Sequence, residues 1–226
     1  MSIDSSSARL AGADLQAMRH AMVASQLRTN AVSDPRIVAA MARVPREAFV
    51  PEDVQAIAYR DTALSAGEGR AINPPIATGR LLTEAYLLAT DRVLLIGAAG
   101  GYTAAVLAEV VASVVAVEED VTLVAMARAA LAGLASVELV AGPLGEGHAA
   151  GAPYDVLVID GAVEAVPEAL VAQVRPGGRI VSGIVDRGLT RLASGRRTDG
   201  GFGLAAFVDS DCVVLPGFAK PQGFRF

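Results

Sequence analysis

Gly97-Ala98-Ala99-Gly100-Gly101 breaks an otherwise apolar stretch, and three of its five residues are glycine. Glycine permits positive φ and lets a ligand approach the backbone closely, so the chemistry such a turn serves is binding. The apolar segment Val114-Val115-Ala116-Val117 ends at Glu118, 21 positions after Gly97, and Glu119 follows. A carboxylate at that point can accept hydrogen bonds from both hydroxyls of a ribose. Gly97, Ala98, Ala99, Gly101, Tyr102, Glu118 and Glu119 are therefore the candidate residues for holding a nucleoside-bearing cofactor. Tyr102 is close enough to the turn to serve in packing, in ligand contact or in both.

Other chemistry is sparse. His20 and His148 stand far apart outside any ligand-spaced cluster, so no metal site is expected. Asp160 ends an apolar segment and faces the same crevice, either as a functional group or as a cap on the turn that follows. Asp61 either lines a substrate site or bonds the backbone of its own loop. The single cysteine, Cys212, reads as a core residue of a strand; it has no partner for an internal disulfide, which points to a reducing compartment. The net charge of −5 argues against nucleic-acid binding. No apolar run approaches the roughly 18–20 residues that span a bilayer. The polar start carries no signal-peptide pattern, so a cytoplasmic location and no membrane association are expected.

The elements that must position these residues follow from periodicity. Residues 1–13 are small and polar and read as disordered. Apolar residues at helical spacing run from Asp14 to Leu27, and Ser33-Asp34-Pro35 starts a second helix with Ile37, Val38 and Met41 on its buried stripe. Another start follows at Val44-Pro45-Arg46-Glu47. Residues 59–75, marked by Gly67, Gly69, Pro74 and Pro75, read as a long irregular loop of the kind that often carries function. Beyond it, helices 76–89, 102–111, 121–131 and 168–174 alternate with strands 92–96, 114–117, 137–140, 155–160 and 179–182. Strand-like segments from about Gly201 read as antiparallel additions at the sheet edge. The result is an α/β fold: a doubly wound, mostly parallel sheet behind an N-terminal helical layer. Residues 14–226 form one domain, with 14–75 as helical layer and substrate loop and 76–226 as Rossmann-like body.

The turn is similar to that of the zinc-free quinone reductases, which use a nicotinamide cofactor, and equally suits S-adenosylmethionine; the glycines do not separate the two. The upstream residues do. Met22-Val23, Gln26-Leu27-Arg28, Asp34-Pro35-Arg36, Met41, Val44-Pro45-Arg46-Glu47 and Phe49-Val50-Pro51 together resemble the N-terminus of the protein-L-isoaspartate O-methyltransferase family. The likeness continues through Tyr59, Asp61, Leu64, Gly67, Gly69, Ile72 and Pro75. It resumes at Gly97, Gly101-Tyr102, Ala104-Ala105-Val106-Leu107-Ala108, Glu118 and Pro176-Gly177-Gly178-Arg179, so that it covers residues 18 to 182. The reductases are longer and carry a β-rich catalytic domain ahead of the turn, with no counterpart in this chain.

The resemblance implies a Rossmann-like S-adenosylmethionine methyltransferase that esterifies the free carboxylate of isoaspartyl residues in damaged proteins and peptides. It implies Gly67, Gly69, Ile72 and Pro75 as the substrate loop, with Asn73 and Asp61 as candidate catalytic residues. Four positions depart from the family pattern. Asn73 stands where the family's loop, Ile-Ser-Gln-Pro, has serine, and Leu95 where an acidic residue usually precedes the first glycine. Ala99 replaces the middle glycine, and Gly142-Pro143 lacks the acidic partner of adenine. These departures predict weak methyl transfer and leave open an alternative: a member that has lost the chemistry and acts as a binding module.

Overall fold

The computed structural model describes residues 14–67 and 69–219. The expected disorder of residues 1–13, and the terminal Phe224-Arg225-Phe226, lie outside the described residues.

Helix α1 covers residues 14–21 and passes into a wider turn, Met22–Leu27, that buries Met22, Val23 and Leu27. Helix α2, Pro35–Arg43, starts where its sequence dictates: the Asp34 carboxylate accepts from Arg36 N at 2.9 Å, and Pro35 occupies the first turn, where its missing N–H costs nothing. Ile37, Val38, Ala40 and Met41 form its buried stripe. The start expected at Val44-Pro45 gives 3-10 turns, Arg46–Phe49 and Glu52–Ile57.

Residues 59–75 are more ordered than a loop. They contain a small hairpin of strands β1 (Leu64–Ser65) and β2 (Ala71–Ile72), paired Leu64 to Ile72 and Ser65 to Ala71. Helix α3, Pro75–Glu84, ends earlier than its apolar pattern suggests, because Tyr86 takes up a left-handed conformation (φ 48°) that a continuing helix excludes.

The main sheet has seven strands: β3 (Arg92–Ile96), β4 (Ser113–Glu118), β5 (Val137–Ala141), β6 (Tyr154–Val163), β7 (Val174–Asp186), β8 (Leu189–Thr198) and β9 (Gly201–Asp209). Their order is β5-β4-β3-β6-β7-β8-β9, parallel through β7 and antiparallel at the last two. Helices α4 (Tyr102–Ala108), α5 (Val121–Leu131) and α6 (Glu168–Ala172) connect the parallel strands. β7 is far longer than the expected 179–182. β8 is absent from the sequence reading; Arg191, Ser194, Arg196 and Arg197 hide its apolar pattern, and pairing with β7 creates it.

Strand side chains alternate between faces. Val93 and Leu95 of β3, with Val156 and Val158 of β6, join the core shared with the helical layer; Leu94, Ile96, Leu157 and Ile159 join a second core with Leu170 and Leu215. The helical layer and one face of the sheet thus share a single buried cluster. A buried ion pair, Arg179 to Asp91 at 2.6 Å, ties β7 to the turn ahead of β3.

Candidate cofactor crevice and active site

The strand order reverses at β3, whose successors lie on one side as β4 and β5 and on the other as β6 and β7. Beyond the carboxyl ends of β3 and β6, the connections diverge and leave a crevice. The turn 97–101 lies in it. Gly97 (φ 79°), Ala99 (φ 46°) and Gly101 (φ 97°) are all left-handed. For an alanine that conformation costs on the order of 1 kcal/mol. The departure at Ala99 therefore carries a strain that glycine would not. Gly97 N and Ala98 N both donate to Val117 O at 3.1 Å, which binds the turn to β4.

Glu118, at the end of β4, is wholly buried. Its two oxygens accept from the backbone amides of Ala99 (2.8 Å), Glu119 (3.0 Å) and Asp120 (3.0 Å). They also accept from both terminal nitrogens of Arg70, at 2.6 and 2.9 Å. Arg70 comes from the β1–β2 hairpin and is itself buried.

The second acidic residue of the crevice is Asp160 on β6. Its carboxylate accepts from Asn73 Nδ2 at 2.8 Å, from Thr78 Oγ1 at 3.1 Å and from Thr103 Oγ1, all neutral donors. Asn73 is buried, and its Oδ1 accepts from Val213 N at 2.8 Å and from Cys212 Sγ at 3.3 Å. One amide side chain therefore joins β6 to the segment after β9. That segment crosses the end of β6, where Ala162 N donates to Val213 O at 2.6 Å and Leu215 N to Ala162 O at 2.9 Å. The Leu215 side chain lies against both Gly97 and Gly161, 3.0 Å from where a Cβ on Gly97 would stand. Cys212 follows β9 and is not a strand residue; burial pushes its thiol up to about 12.

Behind the turn, Arg46 is fully buried with its guanidinium 4.7 Å from the centre of the Tyr102 ring. It donates to Ala58 O at 2.9 Å and to Asn73 O at 2.5 Å. Burial lowers its pKa, opposed by the nearby Tyr102 and Asp160. Burial raises Tyr102 to about 12.

The remaining candidates scatter. Ile72, Asn73, Gly97, Ala98, Ala99 and Tyr102 line the crevice together. Gly101 starts α4 behind them. Glu119 is exposed and turns to Leu144 N. Gly67 and Gly69 occupy the open tip of the hairpin, and Pro75 is buried in the first turn of α3. Asp61 accepts from Ile76 N at 3.0 Å at the start of α3 and also lines a separate cavity of about 270 Å³ with Pro74, Ala77 and Asp211. Arg70, Thr103 and Leu215 escaped the sequence reading. Arg70 had a signal in its place between Gly69 and the loop residue Ile72; Leu215 had none.

A reversed parallel sheet with a left-handed glycine turn on its first crevice strand and a buried carboxylate ending the next defines a Rossmann-like nucleoside-cofactor protein of the methyltransferase type. Within that class the chain belongs to the Protein-L-isoaspartate(D-aspartate) O-methyltransferase (PCMT) family, whose family model matches residues 18–205. A protein-L-isoaspartate O-methyltransferase of Methanoculleus marisnigri is 38% identical over 75% of this chain and 78% of its own length. That of Methylorubrum populi is 39% identical over 85% and 94%. A solved protein-L-isoaspartate O-methyltransferase superposes with a TM-score of 0.78 at 25% identity, over 88% of this chain and 66% of that one. A putative enzyme of the same name from Plasmodium falciparum, in complex with S-adenosyl-L-homocysteine, shares the fold with a TM-score of 0.71, 16% identity and coverage of 87% and 97%.

The donor set of the crevice suits an adenosine: a buried carboxylate on β4 beside a left-handed turn. Between Ile72, Asn73, the turn, Asp160 and Leu215 the free cavity is about 10 Å³, the space of about one water probe at most.

Proposed function

We propose that the chain is an S-adenosylmethionine-dependent protein carboxyl methyltransferase whose acceptor is the free carboxylate of isoaspartyl residues in proteins and peptides. The observation that carries this reading is the family match over residues 18–205 with Glu118 and the left-handed turn in the crevice. Bound S-adenosylmethionine supplies a methyl group already activated on sulfur. A carboxylate acceptor is ionised near neutral pH, its ordinary pKa being about 4. Nothing must remove a proton, which accords with a crevice holding no His/Asp or Cys/His pair. The chain's own residues align the reactants and exclude water, which can supply most of the acceleration. Ile72, Ala98 and Leu215 present the apolar surface for that exclusion.

A second reading is a member that keeps the crevice without the transfer. It is favoured by the commitment of Asn73, whose amide donor is spent on Asp160 and whose acceptor is spent on Val213. An incoming carboxylate would also meet the Asp160 charge. Methyl transfer from labelled S-adenosylmethionine to paired isoaspartyl and aspartyl peptides separates the two readings. The first expects slow transfer confined to the isoaspartyl peptide; binding of S-adenosylhomocysteine without any transfer would establish the second.

Residues 14–226 act as one methyltransferase unit in this reading, supported by the buried cluster shared by the helical layer and the sheet. Residues 59–75 form one wall of the substrate cleft, supported by Ala71, Ile72 and Asn73 on the crevice lining. A cytoplasmic setting accords with the reducing environment inferred from Cys212; among the described residues no helix is long and apolar enough to cross a membrane.

A further inference from the structure

Glu118 is saturated. A carboxylate offers about four lone-pair sites, and Glu118 already carries five donors, so some of its lone pairs are shared. Glu118 receives two donors from Arg70 and three from the backbone amides of Ala99, Glu119 and Asp120. No site is left for two ribose hydroxyls while Arg70 is in place. The three amides belong to the turn and to the start of α5 and stay with the fold. Arg70 is the partner that can leave.

We infer that Arg70 is a built-in competitor of the cofactor ribose: it holds Glu118, and adenosine-cofactor binding exchanges its two N–H donors for two ribose hydroxyls. The inference rests on the adenosine-cofactor reading of the crevice. The exchange conserves donor count, since Glu118 keeps three amides and trades two donors for two. Arg70 regains water on leaving, and its place inside is incomplete: Nε is buried without an acceptor.

Arg70 leaves Glu118 only at its side chain, since Leu64, Ala66 and Ile72 anchor the hairpin in the core. The hairpin β1–β2 pairs Leu64 with Ile72 and Ser65 with Ala71, and the Arg70 backbone closes it by accepting from Ala66 N at 2.9 Å and donating to Gly67 O at 3.3 Å. Gly67 (φ 113°) and Gly69 (φ 71°) sit beside Arg70, each with open space around it. The Arg70 side chain is thus fastened by the carboxylate that the cofactor needs. Apparent cofactor affinity is then the intrinsic affinity reduced by the fraction of chains in which Arg70 has left Glu118.

Calorimetric titration of the full chain with S-adenosylhomocysteine tests this. Arg70→Met removes both competing donors and leaves Glu118 its three amides, so it is expected to bind at least about tenfold more tightly than the natural chain. Equal or weaker binding by the variant would overturn the competitor role and leave the cofactor reading standing. Failure of both chains to bind would overturn the two together. Arg70→Leu, which also lacks donors, serves in place of Arg70→Met if melting shows the latter unfolded. If neither variant folds, hydrogen exchange on the natural chain decides. Saturating S-adenosylhomocysteine is expected to speed exchange of the Arg70 and Ala66 amides as the Arg70 side chain is released; slowed or unchanged exchange would refute it.

Discussion

A Cβ placed on Gly100 would overlap the carbonyl oxygen of Phe49, so the helical layer docks directly on the cofactor turn with no side chain between them. Phe49 also packs edge-on to Tyr102, with ring centres 6.0 Å apart, and Tyr102 opens α4. The turn is therefore shaped from two sides, by β4 below and by the N-terminal layer above.

Gly100→Ala should consequently destabilise the whole fold, since the obstacle is backbone and cannot rotate away. The expected loss is about 1–3 kcal/mol, the range for overpacked interiors. Urea denaturation followed by circular dichroism measures it. A midpoint equal to that of the natural chain would mean that the layer does not rest on the turn.

Asn73→Ala should lower stability by about 1–3 kcal/mol, because Val213 N then loses its acceptor and Asp160 loses a donor inside the protein. Asn73→Ser keeps a hydroxyl but is too short to serve both partners, so it should fall between the two. If serine frees the Asp160 side of the site for an acceptor, methyl transfer to an isoaspartyl peptide rises despite the lower stability. Stability of Asn73→Ala within about 0.3 kcal/mol of the natural chain would show that the amide bridges nothing in solution.

Leu215 is buried on Gly97 and Gly161 and lines the crevice beside the turn. Leu215→Ala should cost about 2–5 kcal/mol of stability, as large-to-small core changes do. It should at the same time bind S-adenosylhomocysteine more tightly, by widening the crevice. Calorimetry reads the second effect independently of the first. Weaker binding would place Leu215 among the groups that hold the cofactor.

Acid stability should report on the cap of α2. The Arg36 guanidinium hydrogen-bonded to Asp34 holds that carboxyl below its ordinary value, helped by the Arg36 and Ile37 amides. A depressed folded-state pKa contributes stability that is fully present above the unfolded value, near 4, and lost as pH falls through the folded one. Asp34→Ala should cost roughly 1 kcal/mol at neutral pH. The gap between the two chains should narrow as pH drops below about 4. Melting temperatures from pH 7 to pH 2.5 check this; a gap that stays constant would remove the carboxylate from the cap.

The local record in the sequence carried most of the body of the fold. The strand Arg92–Ile96 and the helix Val121–Leu131 have the limits that their apolar runs and caps indicate, because period and capping act within a few residues. The glycine turn and Glu118 were legible for the same reason, as a turn and the end of the next strand. β8 was not, since its residues become a strand by pairing with β7 and their own pattern is polar and irregular.

The state of the site was decided by tertiary structure alone. Arg70 meets Glu118 across 48 positions, and Asn73 meets Val213 across 140. No periodicity links such residues; they meet because the sheet order brings a hairpin and a late segment over the same strand ends. From the sequence Glu118 is a free carboxylate waiting for a ribose. Only the folded chain shows that carboxylate already filled, since a side chain's partners depend on which distant loops return to it.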